Sequence, residues 1–186
     1  MTTQVARLVE SRFADSDLPL RLCYYGDILR STPANTNADR QLTQIGLELI
    51  TKDKNAQSEA EIIKVAVEAL TEIGIEDITI DLNTPKLVET LEPNLDAETK
   101  SILDKRDIAN LPKSLAELVE ASGNAKDALK IDTSNMNAEA KSQIDYLKEL
   151  YEILESQNIN AGFTVDYAEI NGFEYHELIS FSIFSK

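Results

Sequence analysis

Residues 24–50 read YYGDILRSTPANTNADRQLTQIGLELI, and this stretch decides the fold because two strand patterns enclose one polar loop. The loop at 31–39 is rich in Asn, Thr, Pro and Asp, which favour turns over helix. Two sets of side chains alternate along residues 42–50: Gln44, Gly46 and Glu48 against Ile45 and Leu47. Because successive side chains of a strand point to opposite faces, the stretch predicts a strand–loop–strand hairpin with Gln44 and Glu48 on one face.

The charged and polar groups of this hairpin suit a small ligand. Arg30 and Arg40 stand at the two ends of the loop, and a guanidinium binds phosphate or carboxylate oxygens in a bidentate manner at any working pH. The Glu48 carboxylate can hold an amine or an imidazole N–H, and the Gln44 amide can fix its orientation. The alternative is a surface hairpin with ordinary polar alternation, in which the arginines serve only solubility.

A second stretch, residues 160–185, reads NAGFTVDYAEINGFEYHELISFSIFS. Its pattern predicts a second hairpin of strand, turn and strand, with the turn at Asn171-Gly172. Alternating apolar residues mark the strands: Phe163, Val165 and Tyr167, then Ile179, Phe181 and Ile183. The stretch also holds His176, the only histidine of the chain, for which pocket lining, structural packing and general-base catalysis are all open.

Helical patterns occupy much of the remaining chain. One helix is predicted at Thr3–Phe13 and a long amphipathic helix at Ala138–Gln157. A third is predicted to start at Ser58, with Glu61 completing a capping box, and to end at Gly74 as a C-cap.

The order of these elements predicts an α+β fold, an antiparallel β-sheet flanked by helices. A further strand is predicted at Ile78–Leu82. Short helical patterns broken by Pro and Gly predict a small helical insertion at about 86–136. The whole chain, 1–186, is expected to form one core domain.

Composition limits the function classes. The net charge of −15, from 18 Lys and Arg against 33 Asp and Glu, opposes nucleic-acid binding. The sequence has no apolar run near twenty residues and no signal peptide, which predicts no membrane role and a cytoplasmic location. A single cysteine, Cys23, excludes an internal disulfide and a cysteine-based zinc site, and its apolar neighbours predict a core position. No metal and no cofactor are predicted, because the GxGxxG, Walker and HExxH patterns are absent.

The two stretches resemble the ligand pocket of class II histidyl-tRNA synthetases and of their paralogue, the regulatory subunit of ATP phosphoribosyltransferase. LPLRLCYYGDILR followed by RQLTQIGLELI is similar to motif 2 of that family. The resemblance implies a class II aminoacyl-tRNA synthetase fold. It also implies that Arg30 and Arg40 match arginines at the ATP phosphates, and that Gln44 and Glu48 match residues that hold histidine.

Two positions depart from the synthetase pattern. The run NGFEYHEL at 171–178 resembles the second histidine-binding motif, which in synthetases reads Arg-Gly-Leu-Asp-Tyr-Tyr-Thr-Gly. Glu174 and Tyr175 remain as histidine-binding candidates, but Asn171 replaces the catalytic arginine. Thr32 replaces a glutamate that meets adenine. The resemblance therefore implies ligand binding with no catalytic residues and no amino-acid activation.

What the resemblance implies is a non-catalytic regulatory subunit in histidine biosynthesis. In that family such a subunit assembles with the short-form ATP phosphoribosyltransferase catalytic subunit and mediates feedback by histidine. The subunit is a homo-oligomer within the resulting hetero-oligomer. Family segments upstream and downstream are not found in this sequence, so we expect an excerpt of a longer protein or a reduced relative. Two alternatives stay open: a divergent histidyl-tRNA synthetase core, and a non-catalytic protein-binding remnant.

Overall fold

The structure is a computed structural model that describes residues 2–29, 40–170 and 178–186. The chain divides into two compact units, Met1–Ala66 and Val67–Lys186. The expectation of one domain with an insertion at about 86–136 stays a prediction. Among the helices of the described residues, none has the length and apolar content needed to cross a membrane.

The first unit contains a helix and a two-stranded antiparallel sheet. Its first elements are helix α1 (Thr2–Arg12), strand β1 (Leu20–Leu29) and strand β2 (Gln41–Ile50). The strands pair along their whole length, from Leu20 opposite Ile50 to Leu29 opposite Gln41. Both strands of the predicted hairpin are confirmed, while its loop and Arg30 lie outside the described residues.

The two faces of the hairpin differ in exposure. Tyr25 and Ile45 are 75% and 74% exposed on one face. Cys23 alternates with Tyr25 on that face and is exposed, so the prediction that Cys23 is a core residue is wrong. The opposite face, which carries Gln44 and Glu48, is half-buried.

Helix α2 (Ala56–Glu72) starts earlier than predicted, so the predicted capping box at Ser58 is wrong. Asn55 caps the helix instead, because its Oδ1 accepts a hydrogen bond from the Ser58 backbone N–H at 2.8 Å. Glu61 forms an ion pair with Arg21 of β1. This hydrogen-bonded pair holds the pKa of Glu61 below its usual value and ties the sheet to the helix.

The second unit is built on a four-stranded sheet. Its strands are β3 (Thr79–Asn83), β4 (Gly123–Asn124), β5 (Gly162–Val165) and β6 (Ser180–Phe184). They lie in the order β4-β5-β3-β6, with β3 parallel to β5 and antiparallel to β6. The predicted pairing of the two strands within 160–185 is therefore wrong, because β3 lies between them. The predicted turn at Asn171-Gly172 lies outside the described residues.

Helices of the second unit match the predicted pattern closely. They are α3 (Leu87–Leu91), α4 (Ala97–Asp104), α5 (Lys113–Ala121), α6 (Ala125–Ala128) and α7 (Ala138–Ser156), with a short 3-10 helix at Ile108–Asn110. The side chains of α7 that were predicted to face the core are buried: Ile144, Leu147, Leu150, Tyr151 and Leu154. Ile80 and Leu82 of β3 are fully buried as well, so the central strand and α7 supply much of the core of this unit.

Candidate functional site

Strand register places two of the predicted ligand-binding residues on one face of the hairpin. Gln44 lies opposite Gly26, and Glu48 lies opposite Leu22. Both side chains are half-buried, in contrast to the exposed Ile45 between them in sequence. This arrangement gives a carboxylate and an amide four residues apart on the same half-buried surface. Their role in binding histidine stays a prediction.

Tyr24 lies over Gly46, between Gln44 and Glu48. The two residues are directly opposite in the β1–β2 register. A Cβ atom added at Gly46 would lie 2.7 Å from Tyr24 Cε1 and still closer to Cζ and Oη. Only glycine leaves room for the ring in this position, and Tyr24 and Gly46 belong to the same half-buried face as Gln44 and Glu48. Sequence analysis gave Tyr24 no role; the signal was a glycine inside a strand, which often marks a close approach.

The Gly46→Ala substitution is expected to lower the free energy of unfolding by about 1–3 kcal/mol, because the added methyl overlaps the Tyr24 ring. Urea unfolding measures the loss. Gly162→Ala is the matched control, since its Cβ would meet Thr79 Oγ1 at 3.5 Å, an ordinary van der Waals distance. Equal stability of Gly46→Ala and the wild-type protein would contradict the prediction, because it would show that the Tyr24 ring accommodates the methyl group at no cost.

Arg40, the second predicted anion-binding residue, lines a shallow polar depression with Asp27, Gln41 and Thr43. Gln41 Nε2 and Thr43 Oγ1 donate hydrogen bonds to the Asp27 carboxylate at 3.0 and 3.1 Å. Asp27, Gln41 and Thr43 belong to the exposed face of the hairpin, opposite to Gln44 and Glu48. The role of Arg40 in binding an anion stays a prediction.

The remaining predicted ligand residues, Glu174 and Tyr175, lie outside the described residues, as do Asn171 and His176. The described residues are interrupted after 170 and continue at 178. The predicted meeting of Glu174 and Tyr175 with Gln44 and Glu48 in one pocket therefore stays a prediction.

A polar cluster lies just before that segment, and sequence analysis did not find it. The carboxylates of Asp81, Asp166 and Glu169 each have an oxygen within 4.8 Å of the others. Each carboxylate already has a protein donor: Thr164 Oγ1 for Asp81, Arg106 for Asp166, and Asn83 Nδ2 at 2.7 Å for Glu169. The cluster is therefore a hydrogen-bonded part of the sheet end, which joins β3 and the residues after β5 to Arg106, just after α4.

Burial and the repulsion between neighbouring carboxylates raise pKa values in this cluster. Burial raises the pKa of Asp81 above its usual value, and the nearby Asp166 carboxylate adds to the rise. Burial likewise raises the pKa of Glu169, with Asp166 and Asp81 adding to it. The charge of Arg106 lowers both pKa values. Arg106 therefore favours the ionised state of Asp81 and Glu169.

Comparison with known proteins finds relatives of histidyl-tRNA synthetase type. The family model described as histidyl-tRNA synthetase matches residues 1–186. An ATP phosphoribosyltransferase regulatory subunit from Paramagnetospirillum magneticum is 32% identical over 100% of this chain and 52% of its own length. A protein of the same name from Geobacter sulfurreducens is 28% identical over 99% of this chain and 46% of its own length. The chain spans about half the length of these curated relatives.

Solved structures share the fold. A Bacillus halodurans structure titled ATP phosphoribosyltransferase regulatory subunit/histidyl-tRNA synthetase matches with a TM-score of 0.83 at 24% identity, over 100% of this chain and 53% of that one. A chain of an ATP phosphoribosyl transferase complex from Thermotoga maritima matches with a TM-score of 0.73 at 14% identity, over 98% of this chain and 69% of that one. The predicted α+β fold of synthetase type is confirmed by these likenesses.

Proposed function

This chain belongs to the histidyl-tRNA synthetase family, and from that premise we propose that it acts as a regulatory subunit of ATP phosphoribosyltransferase in the cytoplasm, with no catalysis of its own. The observation that carries the proposal is the likeness over its whole length to proteins named as such subunits. The proposed partner is the short-form catalytic subunit. In the proposed assembly, copies of this protein form a homo-oligomer, which joins the catalytic subunits in one hetero-oligomer. Its proposed task is to make that subunit active.

Two sequence positions support a non-catalytic role. Asn171 and Thr32 stand where the synthetases that this chain resembles have an arginine and a glutamate. An amide or a hydroxyl cannot supply the full charges that those side chains bring to ATP and its transition state. The net charge of −15 further supports the absence of a tRNA-binding role, because such affinity depends on Lys and Arg neutralising phosphates.

Histidine is the proposed effector, bound by Gln44, Glu48, Glu174 and Tyr175. Support comes from the shared half-buried face of Gln44 and Glu48 and from the Tyr24 ring between them. The carboxylate of Glu48 would meet the positively charged amine or an imidazole N–H. Arg30 and Arg40 are the anion-binding candidates at the two ends of the intervening loop.

The natural full-length protein is expected to co-purify with a short-form catalytic subunit and to raise its phosphoribosyltransferase activity above that of the catalytic subunit alone. Histidine is expected to reduce the activity of the complex. The measurement is product formation from ATP and phosphoribosyl pyrophosphate, with an authentic histidyl-tRNA synthetase as the control addition. Lack of both association and activation would contradict the proposal.

A divergent histidyl-tRNA synthetase core is the second candidate. It is favoured by the family model that matches the whole chain, because that model describes synthetases. Amino-acid activation separates the two functions, since only a synthetase forms histidyl adenylate from histidine and ATP.

A further inference from the structure

A cleft of about 330 Å³ lies in the second unit, between the last turns of α7, the first residues of β5 and the start of α6. Leu154 and Tyr151 of α7 line this cleft, and they are 0% and 8% exposed. The Tyr151 ring meets the Phe163 ring edge to face, with 5.7 Å between the ring centroids. The cleft therefore has an apolar, aromatic wall and a volume at the lower end of the range for small-molecule pockets.

Two opposite charges lie at the rim of the cleft. Lys126 Nζ lies 2.9 Å from Glu155 Oε1, and the two side chains are 69% and 52% exposed. The Tyr151 hydroxyl donates a hydrogen bond to the same carboxylate at 3.2 Å. The hydrogen bond between Lys126 and Glu155 raises the pKa of the lysine and lowers the pKa of the glutamate, so both stay charged at neutral pH. The rim therefore offers one full charge of each sign.

The edge of β5 adds backbone groups to the cleft. The N–H groups of Gly162 and Asp166 donate to carbonyls in β3 and just before it, both at 2.9 Å. Because the direction of the backbone groups alternates along a strand, the N–H and C=O of Phe163 point to the other side of β5. Strand β4 pairs on that side with residues 164 and 165 but ends before Phe163. Phe163 thus presents a backbone donor and acceptor at an edge where the described chain places no partner strand.

The paired charges and the apolar wall limit the class of ligand, because a simple anion or cation is attracted by one rim charge and repelled by the other, whereas a zwitterion matches both. We propose that the cleft binds a free α-amino acid with an apolar side chain. The ligand carboxylate accepts from Lys126 and the Phe163 N–H, and the ligand ammonium donates to Glu155 and the Phe163 C=O. The ligand side chain packs against Leu154 and Tyr151. Because both rim side chains are more than half exposed, they turn from each other to the ligand at little cost.

This cleft is separate from the histidine pocket proposed on the hairpin. All residues that line the cleft belong to the second unit, whereas Gln44 and Glu48 belong to the first. Amino-acid binding at the cleft therefore goes beyond the proposed function and does not rest on it. A protein that failed to activate the catalytic subunit could still bind an amino acid here, and the reverse also holds.

The first test is calorimetric titration of the natural full-length protein with L-leucine. The expected dissociation constant is about 1 mM or lower, as suits a ligand with so few atoms. N-acetyl-L-leucine amide keeps the side chain but lacks both charges, so it is expected to bind at least about tenfold more weakly. Equal affinity for the two compounds, or no binding of L-leucine at about 20 mM, would overturn the assignment.

Substitutions at the rim locate the ligand in this cleft. Lys126→Gln and Glu155→Gln each remove one charge and are expected to weaken L-leucine binding about tenfold, the lower end for a charge-assisted hydrogen bond because both side chains are exposed. Lys130→Gln is the matched control, since Lys130 pairs with Asp127 at 2.7 Å outside the cleft, and it should keep the wild-type affinity. Melting temperatures without ligand check that each variant is folded. Unchanged binding in Lys126→Gln and Glu155→Gln, or equal weakening in Lys130→Gln, would place the amino acid elsewhere and contradict the proposal.

Discussion

Histidine-dependent exchange of pyrophosphate into ATP is expected to be at least about a thousandfold slower with this protein, in its natural full length, than with an authentic histidyl-tRNA synthetase. The reason lies in Asn171 and Thr32, which stand where the resembling synthetases place an arginine and a glutamate. The arginine would stabilise negative charge on the reacting carboxylate and phosphate, and a neutral amide does so far less well. Losing such a group raises the barrier by several kcal/mol, about 1.4 kcal/mol for each factor of ten.

The exchange assay needs two comparisons. An authentic synthetase shows that the assay detects adenylate formation, and a reaction without histidine defines the background. Exchange above that background, with dependence on histidine concentration, would refute the regulatory assignment and favour the divergent synthetase core.

The Glu48→Gln substitution is expected to weaken histidine binding about ten- to a hundredfold. A charge-assisted hydrogen bond contributes roughly 1.5–3 kcal/mol, which corresponds to that range of affinity. Glu48 is half-buried, so water replaces the lost interaction only in part. The substitution keeps the size and one carbonyl oxygen of the side chain, which limits its effect to the charge.

Calorimetry and thermal melting of the full-length protein measure this effect. Glu149→Gln is the matched control, because Glu149 lies on the exposed side of α7 and undergoes the same chemical change. Histidine should raise the melting temperature of the wild type and of Glu149→Gln, and Glu48→Gln should show a much smaller rise. If saturating histidine gives neither heat nor stabilisation in the wild type, the proposal that this protein binds histidine as an effector is wrong. A non-catalytic protein-binding module would then be the favoured function.

Local sequence patterns predicted the helices and strands whose formation depends mainly on the spacing of apolar residues within each element. The long helix α7 was predicted to within one residue at its end, because its apolar side chains repeat with helical spacing. The two strands of the hairpin and the shared face of Gln44 and Glu48 were predicted in the same way, from the alternation along residues 42–50. Two-residue β4 has no such pattern, so it was missed.

Long-range contacts account for what sequence analysis did not find. Tyr24 and Gly46 are 22 positions apart, and only the register of the hairpin brings them together. Asp81 and Asp166 meet because β3 and β5 are neighbours in the sheet, although helices α3 to α7 separate these strands in the sequence. The capping error at Ser58 has a local cause: Asn55 offers an equally good cap three residues earlier.

The position of β3 in the sheet has a consequence for synthesis on the ribosome. Thr79 pairs with Gly162 on one side and Phe184 on the other, so the strand leaves the ribosome long before either neighbour. At about 5–20 residues per second, the wait is roughly 4 to 20 s. During that interval Ile80 and Leu82, both fully buried in the finished protein, have no sheet to join. The apolar side chains of this strand therefore stay without their sheet neighbours while helices α3 to α6, which lie between β3 and β5 in the sequence, are already being made.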